Sequence, residues 1–121
     1  MDLYRDNILD HYKHPRNFGV LDKPDKSQTG QNASCGDVIR IDIKLNKSGN
    51  AIKGIRFSGN GCAISQASAS MLTEKVLNMG IVDVKKLKFK DIEILLGTDL
   101  TPSRVKCAAL PLEVLLSALV K

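Results

Sequence analysis

The sequence predicts an α+β fold, a small antiparallel sheet of about three strands with helices packed on one of its faces. Three observations carry that prediction. Ile39, Ile41, Ile43 and Leu45 alternate with Arg40, Asp42, Lys44 and Asn46, the pattern of a half-buried strand. The turn signal Lys47-Ser48-Gly49-Asn50 then leads into Ile55 and Phe57, which continue the alternation, so the two stretches pair as a hairpin. Helical spacing follows, once over residues 64–79 and again over 104–120.

Before the hairpin, Tyr4, Ile8 and Tyr12 recur at helical steps and mark one face of an amphipathic helix capped by Asp2, which Pro15 brings to an end. His11 and His14 read as packed or surface histidines rather than ligands. Residues 17–32, rich in Gly, Pro, Lys, Gln and Asp, read as a loop with an irregular edge strand about 27–30. After the glycine-rich turn Gly59-Asn60-Gly61, residues Ile64, Ala67, Met71, Leu72, Val76 and Met79 hold a helical face up to a stop at Gly80. Ser65, Ser68 and Ser70 keep that helix small on one side, for close packing on the sheet. Residues 83–97 form one or two short helices, with Asp83 and Asp91 as N-caps and Gly97 as terminator. In the last segment Ala108, Leu112, Leu115, Leu116 and Leu119 share a helical face, but Pro111 cannot donate a helix hydrogen bond. The helix therefore either begins close to Cys107 or kinks at the proline. With no repeat, low-complexity tract or linker, residues 1–121 read as a single domain.

A chain of 121 residues buries enough surface to fold without a disulfide. Its apolar runs fall short of the ~20 residues of a membrane span, and Asp2, Arg5, Asp6 and Asp10 interrupt any signal-peptide core. A cytoplasmic chain with no membrane partner is expected. Three cysteines, an odd number without a Cys-x-x-Cys pair, argue for free thiols. These are either buried structural residues or ligands. The net charge of +5 permits nucleic-acid binding, yet two tyrosines and three phenylalanines supply no RNA-binding aromatic motif, and none is expected. Lys85, Lys86, Lys88 and Lys90, interleaved with Leu87 and Phe89, read as a solvated face or a docking surface for an acidic partner.

The chemistry concentrates at Cys35-Gly36-Asp37, Cys62 and Cys107. Residues two apart on an extended segment share a face, so Cys35 and Asp37 can both turn to one metal. The hairpin carries these two at the start of its first strand and Cys62 just after its second, which brings them together at one exposed end. Cys62 also falls at a helix N-terminus, where backbone N–H groups favour the thiolate that binds metal and attacks sulfur. If a helix begins near Cys107, that thiol gains the same help, with Lys106 and Arg104 adding positive charge. Three thiolates and a carboxylate suit iron or zinc.

The residues around these cysteines resemble the U-type iron–sulfur cluster assembly scaffolds, the IscU, NifU and SufU proteins. The motifs are SCGD (34–37), GNGCAISQASAS (59–70), RVKCAAL (104–110) and the opening LYRDNILDHYKHPRNFG (3–19). The resemblance implies a scaffold that accepts sulfur from a cysteine desulfurase, builds a transient 2Fe-2S cluster on Cys35, Asp37, Cys62 and Cys107, and passes it to apo-protein acceptors. Cys107 and Cys35 are then the candidate persulfide acceptors, and the chain a monomer or weak homo-oligomer. The IscU type usually has a histidine just before the third cysteine, where this chain has Lys106, as in the SufU branch. The spacing from Cys62 to Cys107 is that of the IscU type, while the place of its LPPVK motif is held by Leu100-Thr101-Pro102-Ser103-Arg104. The SufU branch implies the alternative, a zinc-dependent sulfurtransferase on the same ligands.

Overall fold

A computed structural model describes residues 3–33, 36–98 and 100–120. The N-terminal helix α1 (Leu3–Lys13) leads through an irregular segment into the strands β1 (Lys26–Asn32), β2 (Asp37–Leu45) and β3 (Ile52–Asn60). Helices α2 (Ala63–Val76), α3 (Ile81–Val84), α4 (Phe89–Leu96) and α5 (Pro102–Leu119) follow. The sheet is antiparallel in the order β1-β2-β3, with α5 packed over β1 and β2 and α2 over β3. Helices α1 and α4 lie against α2.

The alternation in β2 sends Ile39, Ile41 and Ile43 inward, each fully buried, to meet Ile55 and Phe57 of β3 and Leu72, Leu115 and Val76 from the helices. Burying one such side chain contributes about 1.5–3 kcal/mol, so this layer dominates the stability. Gly30 lies opposite Ile39 on the inner face of β1, and a Cβ there would come within 2.6 Å of Val114 Cγ2, so the small residue is what lets α5 approach the sheet. At the other edge, Gly19 N–H donates to Phe57 C=O and Phe57 N–H to Asn17 C=O, and the Phe18 ring meets that of Phe57 edge to face. The segment after α1 thus covers the free edge of β3, which would otherwise present unpaired backbone groups.

Several expectations are corrected by the packing. In α1 the inward residues are Ile8 and His11, while Tyr12 is exposed, so the buried face is rotated from the tyrosine stripe; the Asp2 cap lies outside the described residues. His11 is held inside because its Nδ1 bonds Ser70 Oγ at 2.7 Å, and the same oxygen accepts Arg16 N–H at 2.9 Å. Ser68 donates to Ala108 C=O of α5 at 2.7 Å, so both serines face neighbouring helices, not the sheet. Helix α2 ends at Val76, before Gly80, with Leu77 extended and Asn78 at φ 72° reversing the chain. Gly80 instead caps α3 and Lys88 caps α4, and Asp83 and Asp91 sit inside the first turns; Asp91 closes back on the Lys88 N–H at 2.8 Å. Gly97, at φ 72°, terminates α4 as its residue type demands.

Candidate metal site

Register positions the first donor. Asn32 pairs with Asp37 and Val38 with Asn60, so Asp37 enters β2 beside the point where β3 gives way to α2. Gly36, at φ 73°, turns the chain into the strand, and its N–H bonds Asn32 C=O. Two further glycines fit the backbone around the donors. Gly59, at φ 121°, lies so close to the Val38 carbonyl that any side chain would collide with it. A Cβ on Gly61 would strike Ser65 Oγ and sit 3.4 Å from Asp37 Cγ, so this glycine keeps the space beside the carboxylate clear.

Cys62 is the N-cap residue of α2, with extended backbone and no side-chain cap of its own. Its N–H donates instead to Asp37 Oδ1 at 3.2 Å, and its carbonyl accepts from Gln66 N–H and from Ser65 Oγ. The carboxylate therefore caps the helix from another strand and draws the two donors together. Its other oxygen, Oδ2, is buried with no hydrogen-bond partner among the described residues, in a residue only 4% exposed. Such an atom costs about 1–3 kcal/mol unless something outside the protein's own donors satisfies it.

Cys107 comes from α5 and is buried, its thiol 3.8 Å from Ser103 C=O one turn back. The helix does not begin close to Cys107. It begins at Pro102, the favoured first position for proline, and runs unbroken through Pro111. Cys107 consequently sits in the second turn, beyond the reach of a helix terminus, which fades within one turn. Pro111 has no N–H to give the Cys107 carbonyl four residues back, and Ser68 from α2 fastens the adjoining Ala108 carbonyl.

The ligand atoms of Asp37, Cys62 and Cys107 all lie within 4.8 Å of one another. Donors of one tetrahedral zinc, about 2.0–2.3 Å from the ion, stand roughly 3.5–3.8 Å apart, so these three need close by only about an ångström. Of the four residues expected as ligands, three are thus brought together; Cys35 lies outside the described residues. Sequence reading noted Ser65 and Ser68 only as small residues and missed their hydrogen bonds to the Cys62 and Ala108 carbonyls, as it missed the clearance at Gly61.

Fold and side chains together define a class, an α+β domain with a cluster of two thiols and a carboxylate at one end of its sheet. The model of the NifU-like N terminal domain matches residues 3–121, and the chain belongs to that family. Among relatives, it is 39% identical over 125 residues to the zinc-dependent sulfurtransferase SufU of Bacillus subtilis (strain 168), covering 89% of this chain and 83% of that one. It is 40% identical over 114 residues to the iron-sulfur cluster assembly scaffold protein IscU of Aquifex aeolicus (strain VF5), covering 93% and 71%. A crystal structure from Fervidobacterium islandicum AW-1, of a protein described as a candidate cluster assembly scaffold for the SUF system, superposes with TM-score 0.77 at 28% identity over 94% of each chain. Among the described residues no helix is long and apolar enough to cross a membrane.

Proposed function

We propose that this chain is an iron–sulfur cluster assembly scaffold, which holds a transient 2Fe-2S unit on Cys35, Asp37, Cys62 and Cys107. The observation that carries the reading is the buried Oδ2 of Asp37, unpartnered among the described residues, beside two thiols. A carboxylate among thiolates is a hard, weakly donating ligand, suited to cargo that must leave. Sulfur would come from a cysteine desulfurase onto Cys35 or Cys107, and the finished cluster would pass to an apo-protein. The burial of Cys107 means that sulfur reaches it only if α5 shifts or the site end opens.

A second reading, a zinc-dependent sulfurtransferase, is favoured by the Bacillus relative and by Lys106 standing before Cys107 where a histidine would be an additional ligand. The same donors bind zinc equally well. Anaerobic reconstitution with iron and sulfide separates the two. The scaffold reading expects cluster absorption that vanishes in Cys35→Ser. A colourless protein that retains one tightly bound zinc through the same treatment would establish the second reading instead.

A further inference from the structure

Beside Cys62, on the side of α1, opens a cavity of about 580 Å³ whose walls include Arg5, Ile8, Leu9, Cys62, Ile64 and Arg104. Small-molecule sites span roughly 300–1,000 Å³, largely apolar with a few placed polar groups. This one has apolar walls from α1 and α2, a thiol at its side, and cationic residues from α1 and α5. No carboxylate is among its described lining residues. The Arg104 guanidinium, exposed, is committed to none of the ion pairs found among the described residues. Cys62 is partly exposed, whereas Cys107 is buried.

We propose that this cavity is a subsite for a low-mass disulfide bearing a carboxylate, and that Cys62 is the residue it modifies. The guanidinium of Arg104 takes the carboxylate, a pairing whose planar fork suits two oxygens at once. The Cys62 thiolate attacks one sulfur of R–S–S–R. A Cys62–S–S–R bond forms, the original S–S bond breaks, and the second half leaves as the thiolate R–S⁻, which water protonates. Cys62 is oxidised and the leaving sulfur reduced, so no further redox partner is required. A capped Cys62 has no thiolate for a metal, and a free thiol reverses the reaction. The inference goes beyond the proposed function, because it concerns the metal-free chain and holds whichever metal or cluster the site takes.

The full chain, freed of metal with a chelator, is exposed in separate arms to dithiodipropionate, which is anionic, and to the neutral bis(hydroxyethyl) disulfide. Adducts on each cysteine are timed by peptide mass mapping, and the ratio of the two rates is normalised to the same ratio on a free model thiol. Cys62 is expected to favour the anionic reagent by about twofold to fivefold, the range of one exposed ion pair, with Cys107 far slower toward both. In Arg104→Gln the preference falls toward one. Arg104→Lys retains part of it, and high salt suppresses it in the wild type. Because each sample reports a ratio of two reagents, a change in general exposure of the thiol cancels. A wild-type ratio near one, a preference that survives Arg104→Gln, or equal labelling of Cys107 overturns the proposal.

Discussion

Strand β2 buries two aspartates, Asp37 and Asp42, and the fold treats them in opposite ways. Asp42, 1% exposed, is surrounded by donors: Ser27 Oγ at 2.6 Å and Arg40 Nε at 2.9 Å reach Oδ1, and Leu21 N–H reaches Oδ2 at 3.1 Å. Asp37, 4% exposed, receives one N–H on one oxygen and, among the described residues, nothing on the other. The first carboxylate fastens the segment after α1 and the edge strand β1 to the outer face of the sheet. The second stands among thiols with a lone pair unspent. In one strand, a fully bonded buried carboxylate is a fastener, and a half-bonded one beside two cysteines is a candidate ligand.

The largest way to break this comparison is Asp42→Ala. It leaves the Ser27 hydroxyl and Leu21 N–H without their acceptor and should destabilise the chain by about 2–3 kcal/mol, read as a lower urea midpoint with unchanged slope. The affinity for zinc should stay as it was. Gly61→Ala attacks the other carboxylate through its surroundings, since the added methyl must displace Ser65 or press on Asp37. A loss of about 1–3 kcal/mol is expected, typical of overpacking, together with a reduced metal content after purification.

Asp37→Ala should cost the metal-free chain no more than about 1 kcal/mol, because it removes one hydrogen bond and an unsatisfied oxygen together. Its effect should appear in cargo release. Cluster transfer to an apo-ferredoxin under anaerobic conditions is expected to slow relative to wild type, and identical rates with identical absorption spectra would show that Asp37 is not a ligand.

The smallest effect expected is on acid stability. Burial raises the Asp42 carboxyl, but hydrogen bonds from Ser27, Arg40 and the Leu21 N–H, with the Arg40 charge, more than reverse it, leaving it below the ordinary aspartate value of 3.8. As pH falls the unfolded chain takes up that proton before the folded one does, so stability is present above about pH 4 and drains away below it. Thermal melts from pH 5 down to pH 3 should show this loss in the wild type and a flatter profile in Asp42→Asn. The neighbouring Arg40 is itself half in solvent, which keeps the effect shallow.

Features that depend on short stretches of chain were legible without a structure. The alternation from Ile39 to Leu45, the turn at Gly49, the Gly97 stop and Cys62 at a helix start each follow from a local period or from one residue's backbone preference. The hairpin carried this further: once β2 and β3 pair, Asp37 and Cys62 must meet. Asp42 was misread for the same reason that β2 was read correctly, since alternation assigns it to solvent and cannot foresee a loop folded across that face. The start of α5 at Pro102, and with it the place of Cys107, was equally hidden, because a proline can either open a helix or sit within one, and here two prolines do both. His11 on Ser70, Gly30 under Val114 and the arginines beside Cys62 join residues far apart in sequence. Such contacts are decided only when helices settle on the sheet, since packing depends on the shapes of both surfaces and neither is written in the period of one segment.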